Sequence, residues 1–128
     1  MRLIQQTTTQ SCDECVARLK AAAAALPMGV VAHINGQANA AKQGLAVAGD
    51  QIVEIFRPDF AVRVWRACRP AGLDIPIRVH VYQDGDHTIV AYRAPSQVFA
   101  PYGVAELDVI GAELDPIFAT VIERALRP

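Results

Sequence analysis

The sequence has few aromatic residues, few lysines and no excess of charge of either sign. Aromatic residues make up 6% of its 128 residues, two lysines stand against ten arginines, and the formal net charge is −1. A dedicated nucleic-acid-binding domain usually combines a basic excess with aromatic residues that stack on bases, so we expect no nucleic-acid partner. The preference for arginine fits recognition of an anion, because a guanidinium presents a planar fork to a carboxylate or phosphate. Codon usage in the source genome is the preferred explanation of this arginine bias.

Long apolar runs are also missing. The longest apolar run of helical character, AAAAAL, is far shorter than the ~20 residues that a membrane-spanning helix needs. The first ten residues, MRLIQQTTTQ, lack the apolar region of a signal peptide. These observations predict a cytoplasmic protein without a membrane partner.

The sequence contains no familiar catalytic motif. It has neither a Gly-x-Ser-x-Gly nucleophile turn nor a glycine-rich phosphate loop. We therefore expect a non-enzymatic protein without a cofactor, and an enzyme with an unfamiliar site is a minor alternative. With 52% apolar and 20% charged residues, the chain has the composition of a globular protein. Its length predicts a single domain over residues 1–128.

The order of apolar segments predicts an α+β fold. Strands are expected near residues 3–7, 29–35 and 51–56, and IPIRVHVYQDGDHTIVAY predicts a β-hairpin. Helical patterns separate the strands and follow the hairpin. This arrangement predicts one mostly antiparallel sheet with helices packed on one face.

Local signals place the helix ends. Ser11 begins a capping box ahead of the first helix, and Pro58 suits the first turn of a later one. In the last helix, Asp115 and Pro116 are expected to mark a kink or a second start, because proline cannot donate the helical hydrogen bond. The helix after Pro58 has an apolar stripe made of Phe60, Val64, Trp65 and Cys68. We therefore expect Trp65 to be a core residue.

The hairpin supplies a candidate binding surface. A three-residue loop, Gln83-Asp84-Gly85, would place glycine where a left-handed backbone is needed. In that register one sheet face would carry Arg78, His80, Tyr82, Val90 and Tyr92. Tyrosine and arginine are enriched in interface cores. We interpret this face as a homodimer interface or the floor of a ligand groove, with the dimer favoured, and a solvated face without a partner is the alternative.

Four segments in order, INGQANAAKQGL, EIFRPDFAVRVWRA, AGLDIPIRVHVY and YRAPSQVFAPYG, resemble the family called domain of unknown function 302. The resemblance extends over nearly the whole chain. It implies a small α+β domain with an antiparallel sheet backed by helices, often dimeric, and no established activity. Many members carry a Gly-Asn-Pro turn after the third strand and an Asp-His pair after the second. Here those places read Arg57-Pro58 and Asn35-Gly36.

Cys12 and Cys15 form a Cys-x-x-Cys pair in the first turn of the first helix. The helix dipole there favours a thiolate, and redox proteins use this placement. However, Asp13 and Glu14 oppose thiolate formation, and no second pair completes a zinc site. Cys68 is predicted on a distant helix and not joined to either. The pair is therefore interpreted as structural, with a redox or metal-handling role as the alternative.

Two further groups of polar residues are candidate sites. Arg57 precedes a proline-started helix, where an anion could bind, but Asp59 in the same turn favours a structural salt bridge. His33, His80 and Glu54 could form a two-histidine, one-carboxylate metal site if all three lay on one sheet face. Solvated side chains are the preferred alternative, so no metal site is predicted.

Together these patterns favour a non-enzymatic small-ligand or protein-interaction domain that acts as a homodimer. The proposed ligand-binding residues are Arg57, Arg78, His80, Tyr82 and Tyr92. The expected partners are a second copy of the chain and a small anionic ligand. A thiol-based redox or metal-handling protein that uses Cys12 and Cys15 is the alternative.

Overall fold

A five-stranded antiparallel sheet with strand order β1-β5-β4-β3-β2 organises the structure. The structure is a computed structural model, and it describes residues 3–127. The strands are β1 (Ile4–Thr8), β2 (Gly29–Asn35), β3 (Asp50–Phe56), β4 (Ile77–Asp84) and β5 (His87–Tyr92). Edge strands β1 and β2 therefore flank the three strands that the sequence pattern marks most clearly.

In the described residues, three α-helices and one short 3₁₀ segment lie between strands, and two α-helices and a second 3₁₀ segment follow β5. The helices are α1 (Cys12–Ala25), α2 (Gly36–Ala41), α3 (Pro58–Ala67), α4 (Pro95–Phe99) and α5 (Ala105–Leu126). The 3₁₀ segments are Arg69–Asp74 and Ala100–Tyr102. The predicted α+β class is confirmed. None of the described helices is both long and apolar enough to span a bilayer.

The hydrophobic core lies on one face of the sheet. Along β4, Ile77, Val79 and Val81 are buried, whereas the residues between them are exposed or half-buried. Side chains from α1, α3, α4 and α5 belong to the same buried cluster. Burial of this continuous apolar surface is the main favourable term for the fold. No helix in residues 3–127 covers the opposite sheet face.

The helix starts follow the local signals. Ser11 caps α1, and its hydroxyl accepts a 3.1 Å hydrogen bond from the Glu14 amide, as predicted. Pro58 begins α3. Of the two alternatives expected at Pro116, a kink or a second start, the second start is wrong, because α5 continues through this residue as one helix. Asp115 instead accepts hydrogen bonds from the amide and hydroxyl of Ser96, at 2.9 and 2.5 Å, and so ties α4 to α5.

The hairpin register differs from the prediction by three residues in β5, because Tyr82 pairs with Ile89 and not with Asp86. Asp84 pairs with His87, so the loop contains two residues, not three. Gly85 has φ +61°, and a glycine at the first of two loop positions is typical of a type II′ turn. This register places Val90 and Tyr92 on the helix-covered face, where they are 2% and 5% exposed. Their predicted position on the other face is wrong, because a shift by an odd number of residues moves every side chain of a strand to the opposite face of the sheet.

Trp65 does not lie in the core. Its side chain is 45% exposed, whereas Phe60 and Val64 on the same helix are buried. The ring instead lies against Gly72, where an added Cβ would come within 3.1 Å of the indole Nε1. The prediction failed because one residue corresponds to 100° of helix rotation. Trp65 therefore falls beside the apolar stripe that Val64 belongs to.

Candidate functional site

The uncovered sheet face, which we call the open face, contains a row of apolar side chains between charged ones. Its residues on the four strands β2 to β5 include Ile34, Asp50, Ile52, Glu54, Arg78, His80, Tyr82, Ile89 and Ala91. Ala32 of β2 and the polar residues Gln5 and Thr7 of β1 belong to the same face, because they pair with Glu54, Ala91 and Ile89. His80 lies between Ile52 and Ala91 in the antiparallel register, and Tyr82 lies between Asp50 and Ile89. The sheet register therefore collects side chains from all five strands on this face.

His80 and Tyr82 form a fixed unit at the middle of the open face. Their rings stack with centroids 4.6 Å apart and an interplanar angle of 29°. The His80 Nε2 atom is 2.8 Å from Asp50 Oδ1. Arg78, His80 and Tyr82 thus share one face, as the strand alternation predicted. The aromatic pair and the carboxylate hold the histidine ring in one orientation.

Tyr92 does not join this group. Its ring packs against Phe118 of α5, with centroids 6.3 Å apart. Burial, and then the negative charge of Asp115, raises the pKa of the Tyr92 hydroxyl. Tyr92 is therefore a core residue, and its proposed place among the ligand-binding residues is corrected.

A cleft of about 720 Å³ adjoins the open face at the end where β4 begins. Glu54, Arg78 and Arg93 line it from the sheet side, and the segments 73–76 and 98–102 supply the remaining wall. Small-molecule sites typically have volumes of roughly 300–1,000 Å³. The cleft is therefore large enough for a small ligand.

Sequence reasoning missed Arg93 as a site residue. Val79 and Tyr92 form the last pair between β4 and β5, and Arg93 follows Tyr92 directly, so Arg93 lies near Arg78. Both arginines line the cleft. A correct length for the hairpin loop would have identified Arg93, because the loop length sets which residues of β4 and β5 lie opposite each other. Only the two-residue loop brings these two arginines together.

A hydrogen bond between Tyr102 and Asp74 closes one wall of the cleft. The Tyr102 hydroxyl donates to the Asp74 carboxylate and joins the two 3₁₀ segments. This hydrogen bond raises the pKa of the Tyr102 hydroxyl. Tyr102 and Asp74 are further cleft residues that the sequence analysis did not single out.

Arg57 does not offer a free anion site. Its guanidinium donates to both Asp59 carboxylate oxygens, at 2.6 and 3.1 Å, and to the Pro27 carbonyl oxygen at 3.1 Å. It also lies 4.7 Å from the centroid of the Phe60 ring. The hydrogen bond from Arg57 lowers the pKa of the Asp59 carboxyl. These contacts support the salt-bridge interpretation.

The two cysteines of the Cys-x-x-Cys pair lie in the first turn of α1, as predicted, and both are buried. The Cys12 thiol donates to the Val81 carbonyl oxygen at 3.3 Å. Burial raises the pKa of the Cys15 thiol to about 11, with smaller contributions from Cys12 and Glu14. Burial, followed by the charges of Asp13 and Asp50, also raises the pKa of the Cys12 thiol. This environment favours protonated thiols, which are poor nucleophiles.

His33 lies on the helix-covered side of the sheet, away from His80. A register shift between Val30 and Ala32 turns β2, and His33 then pairs with the core residue Val53. The three residues considered for a metal site are therefore not brought together. Within residues 3–127, no group of three or more metal-ligating side chains is placed to hold an ion.

A five-stranded antiparallel sheet, with helices on one face only, defines a two-layer α+β protein. A family model described as Domain of unknown function DUF302 matches residues 4–124, and the chain belongs to this family.

The structure is similar to a crystal structure of the uncharacterized conserved protein DUF302 from Bacillus stearothermophilus. The TM-score is 0.87 with 21% sequence identity, over 99% of each chain. At this identity the likeness shows the fold alone. A comparison with curated proteins found no match.

Proposed function

We propose that the protein is a non-enzymatic, homodimeric binding domain in which the open face of one copy packs against that of a second. One observation carries the proposal, namely an uncovered sheet face that presents large apolar side chains. When one face of an antiparallel sheet contacts only water, the residues that point to that face are usually polar. Here Ile34 and Ile52 supply large apolar side chains to the central row, next to His80. The row continues through the buried Ala91 to Gln5 at the β1 edge.

The exposure of the aliphatic residues supports an interface. Ile34 is 45% exposed, and Val31, in the neighbouring irregular part of β2, is 61% exposed. Ile52 and Ile89 are half-buried. Contiguous apolar surface of this kind is characteristic of interaction sites, since its removal from water is favourable.

The charges around the apolar row support a second copy as the partner. Asp50 and Glu54 carry negative charge on the open face, and Arg78 carries positive charge, with Arg93 at its margin. Two carboxylates and two guanidiniums are balanced, so two copies of the face would not repel each other strongly. A two-fold interface requires this kind of self-complementary patch.

The thiol-based alternative has weaker support. Cys12 and Cys15 are 7% and 0% exposed, so oxidants and partner thiols have little access to them. Their raised pKa values also disfavour the thiolate that such chemistry requires.

The mass of the protein in solution tests the homodimer. We expect the native chain to have twice the mass of one copy by light scattering. Ile34→Asp places a charge in the proposed interface and should give the single-copy mass. Val109→Asp is the matched control, because Val109 is a similarly exposed aliphatic residue, at 50%, on α5. A native protein that remains a monomer at its highest soluble concentration would contradict the proposal.

A further inference from the structure

We propose that the cleft between Arg78 and Arg93 binds a small organic carboxylate. The cleft has a volume of about 720 Å³ and lies at the end of the open face. Its lining comes from one chain, so binding does not depend on the proposed dimer. No comparison assigns a ligand to this position.

Within residues 3–127, the two cleft arginines differ from four of the seven other arginines. Arg18, Arg57, Arg63 and Arg127 each form an ion pair with an acidic side chain. Over residues 3–127, the ion pairs include neither Arg78 nor Arg93. Their guanidinium groups are therefore available to a bound anion.

The hairpin register brings these two positive charges together. Val79 and Tyr92 form the last pair between β4 and β5, and Arg93 follows Tyr92 directly, so Arg93 lies near Arg78 where both line the cleft. Glu54 of β3 pairs with Arg78 on its other side. Like charges that lie near each other repel. An anion between them would relieve this repulsion and accept hydrogen bonds from both guanidinium groups.

The acidic lining limits the charge of the ligand. Glu54 and Asp74 also line the cleft, and the Asp74 carboxylate accepts the hydrogen bond from Tyr102. A multiply charged phosphate would be repelled by both carboxylates. A single carboxylate group matches the arginine pair at a lower electrostatic cost.

The apolar residues of the cleft indicate that the rest of the ligand is apolar. Ile75, Pro76, Val98 and Pro101 supply apolar surface to the same cleft. Ligand sites commonly combine an apolar lining with a few polar groups that set the orientation. A carboxylate attached to a small aromatic or aliphatic body therefore fits both parts of the cleft.

Benzoate is a suitable probe, and benzamide is its uncharged counterpart of nearly the same shape. In ¹H–¹⁵N NMR titrations, benzoate should give saturable shifts of the amide signals of Arg78, Arg93 and neighbouring cleft residues. Benzamide should give much smaller changes. Equal responses to the two compounds, or no saturable response to benzoate, would overturn the proposal. Tighter binding of inorganic phosphate than of benzoate would overturn the assigned ligand class.

Substitutions locate the binding site. Arg78→Gln and Arg93→Gln should each weaken benzoate binding about tenfold or more, because each removes a charge-assisted hydrogen bond. Arg124→Gln, which changes an exposed arginine in the last turn of α5, should bind benzoate as the native protein does. Unchanged affinity in both cleft variants would show that benzoate binds elsewhere.

The Ile34→Asp variant separates this proposal from the homodimer. It should lose the dimer but retain benzoate binding, because Ile34 does not line the cleft. Loss of benzoate binding in a folded Ile34→Asp monomer would show that the cleft is incomplete in one chain. A monomeric native protein that binds benzoate would contradict only the dimer.

Discussion

His33 Nε2 lies 2.7 Å from Gln51 Oε1, and this contact links a solvent-exposed histidine to a glutamine that is 1% exposed. The Lys20 ammonium lies 2.8 Å from His33 Nδ1, and Gln51 Nε2 donates to Asp13 Oδ1 at 2.8 Å. An ammonium can only donate, so Nδ1 accepts and Nε2 carries the hydrogen that reaches Gln51. The four side chains form one directed chain of hydrogen bonds that ties α1 to β2 and β3.

Replacement of Gln51 by Leu should reduce the free energy of unfolding by about 1–3 kcal/mol, because His33 and Asp13 lose their buried partner. Chemical denaturation measures this difference. Gln97→Leu is the control, since Gln97 is exposed on α4 and should change stability little. Equal effects of the two substitutions would show that the hydrogen-bond chain does not stabilise the fold.

Tyr92 and Tyr82 should respond differently to truncation, because the observed register places them on opposite faces of the sheet. Tyr92 is 5% exposed and packs on Phe118. Tyr92→Ala should therefore lower stability by about 3–5 kcal/mol, as for other large aromatic core residues. Tyr82→Ala should cost clearly less, while weakening the dimer. Thermal melts and light scattering distinguish the two effects, and a larger stability loss for Tyr82→Ala would favour the three-residue loop.

Trp65 and Phe60 provide a second comparison on one helix. Phe60 is 5% exposed and Trp65 is 45% exposed. Phe60→Ala should lower stability by about 3 kcal/mol or more, whereas Trp65→Ala should cost well under that value, because partial exposure leaves less apolar area to lose. Urea unfolding of both variants gives the comparison. A larger loss for Trp65→Ala would mean that its contact with Gly72 matters more than the burial of Phe60.

The Cys15 thiol should make stability fall at alkaline pH. Burial raises its pKa to about 11 in the folded protein, whereas an unfolded thiol titrates near about 8.5. Because the pKa is higher in the folded protein, the protonated Cys15 thiol contributes to the free energy of unfolding. This contribution is fully present below the pKa of the unfolded thiol and is lost as the pH rises towards about 11. Cys15→Ala should therefore have a flatter stability profile across this window than the native protein. Identical slopes would show that the thiol titrates normally.

Thiol labelling tests the redox alternative directly. Cys68 is half-buried, whereas Cys12 and Cys15 are buried. In the native protein a disulfide reagent should modify Cys68 first, and the other two should react mainly after unfolding. A reversible disulfide that forms completely between Cys12 and Cys15 under a mild oxidant would revive the thiol-based function.

The local sequence was enough to predict the α+β class, the capped start of α1 and the start of α3 at Pro58. The two helix starts depend on side chains within one helical turn of each other, and the class depends on the order of elements along the chain, so the sequence contains the necessary information. The burial of Cys12 and Cys15 was consistent with the structural interpretation of the pair. Arg78, His80 and Tyr82 also share a face as expected, because alternation along one strand is a local property.

Only the tertiary structure decided the strand register and the positions that depend on it. Ile89 and Ala91 are as apolar as Val90 and Tyr92, so alternation in β5 alone did not show which pair faces the helices. Packing beneath α5 selects Val90 and Tyr92, and the same register brings Arg93 to Arg78. The irregularity in β2 that separates His33 from His80 is also set by pairing with β3. These contacts join distant parts of the chain, and their free energy comes from packing that exists only in the folded protein.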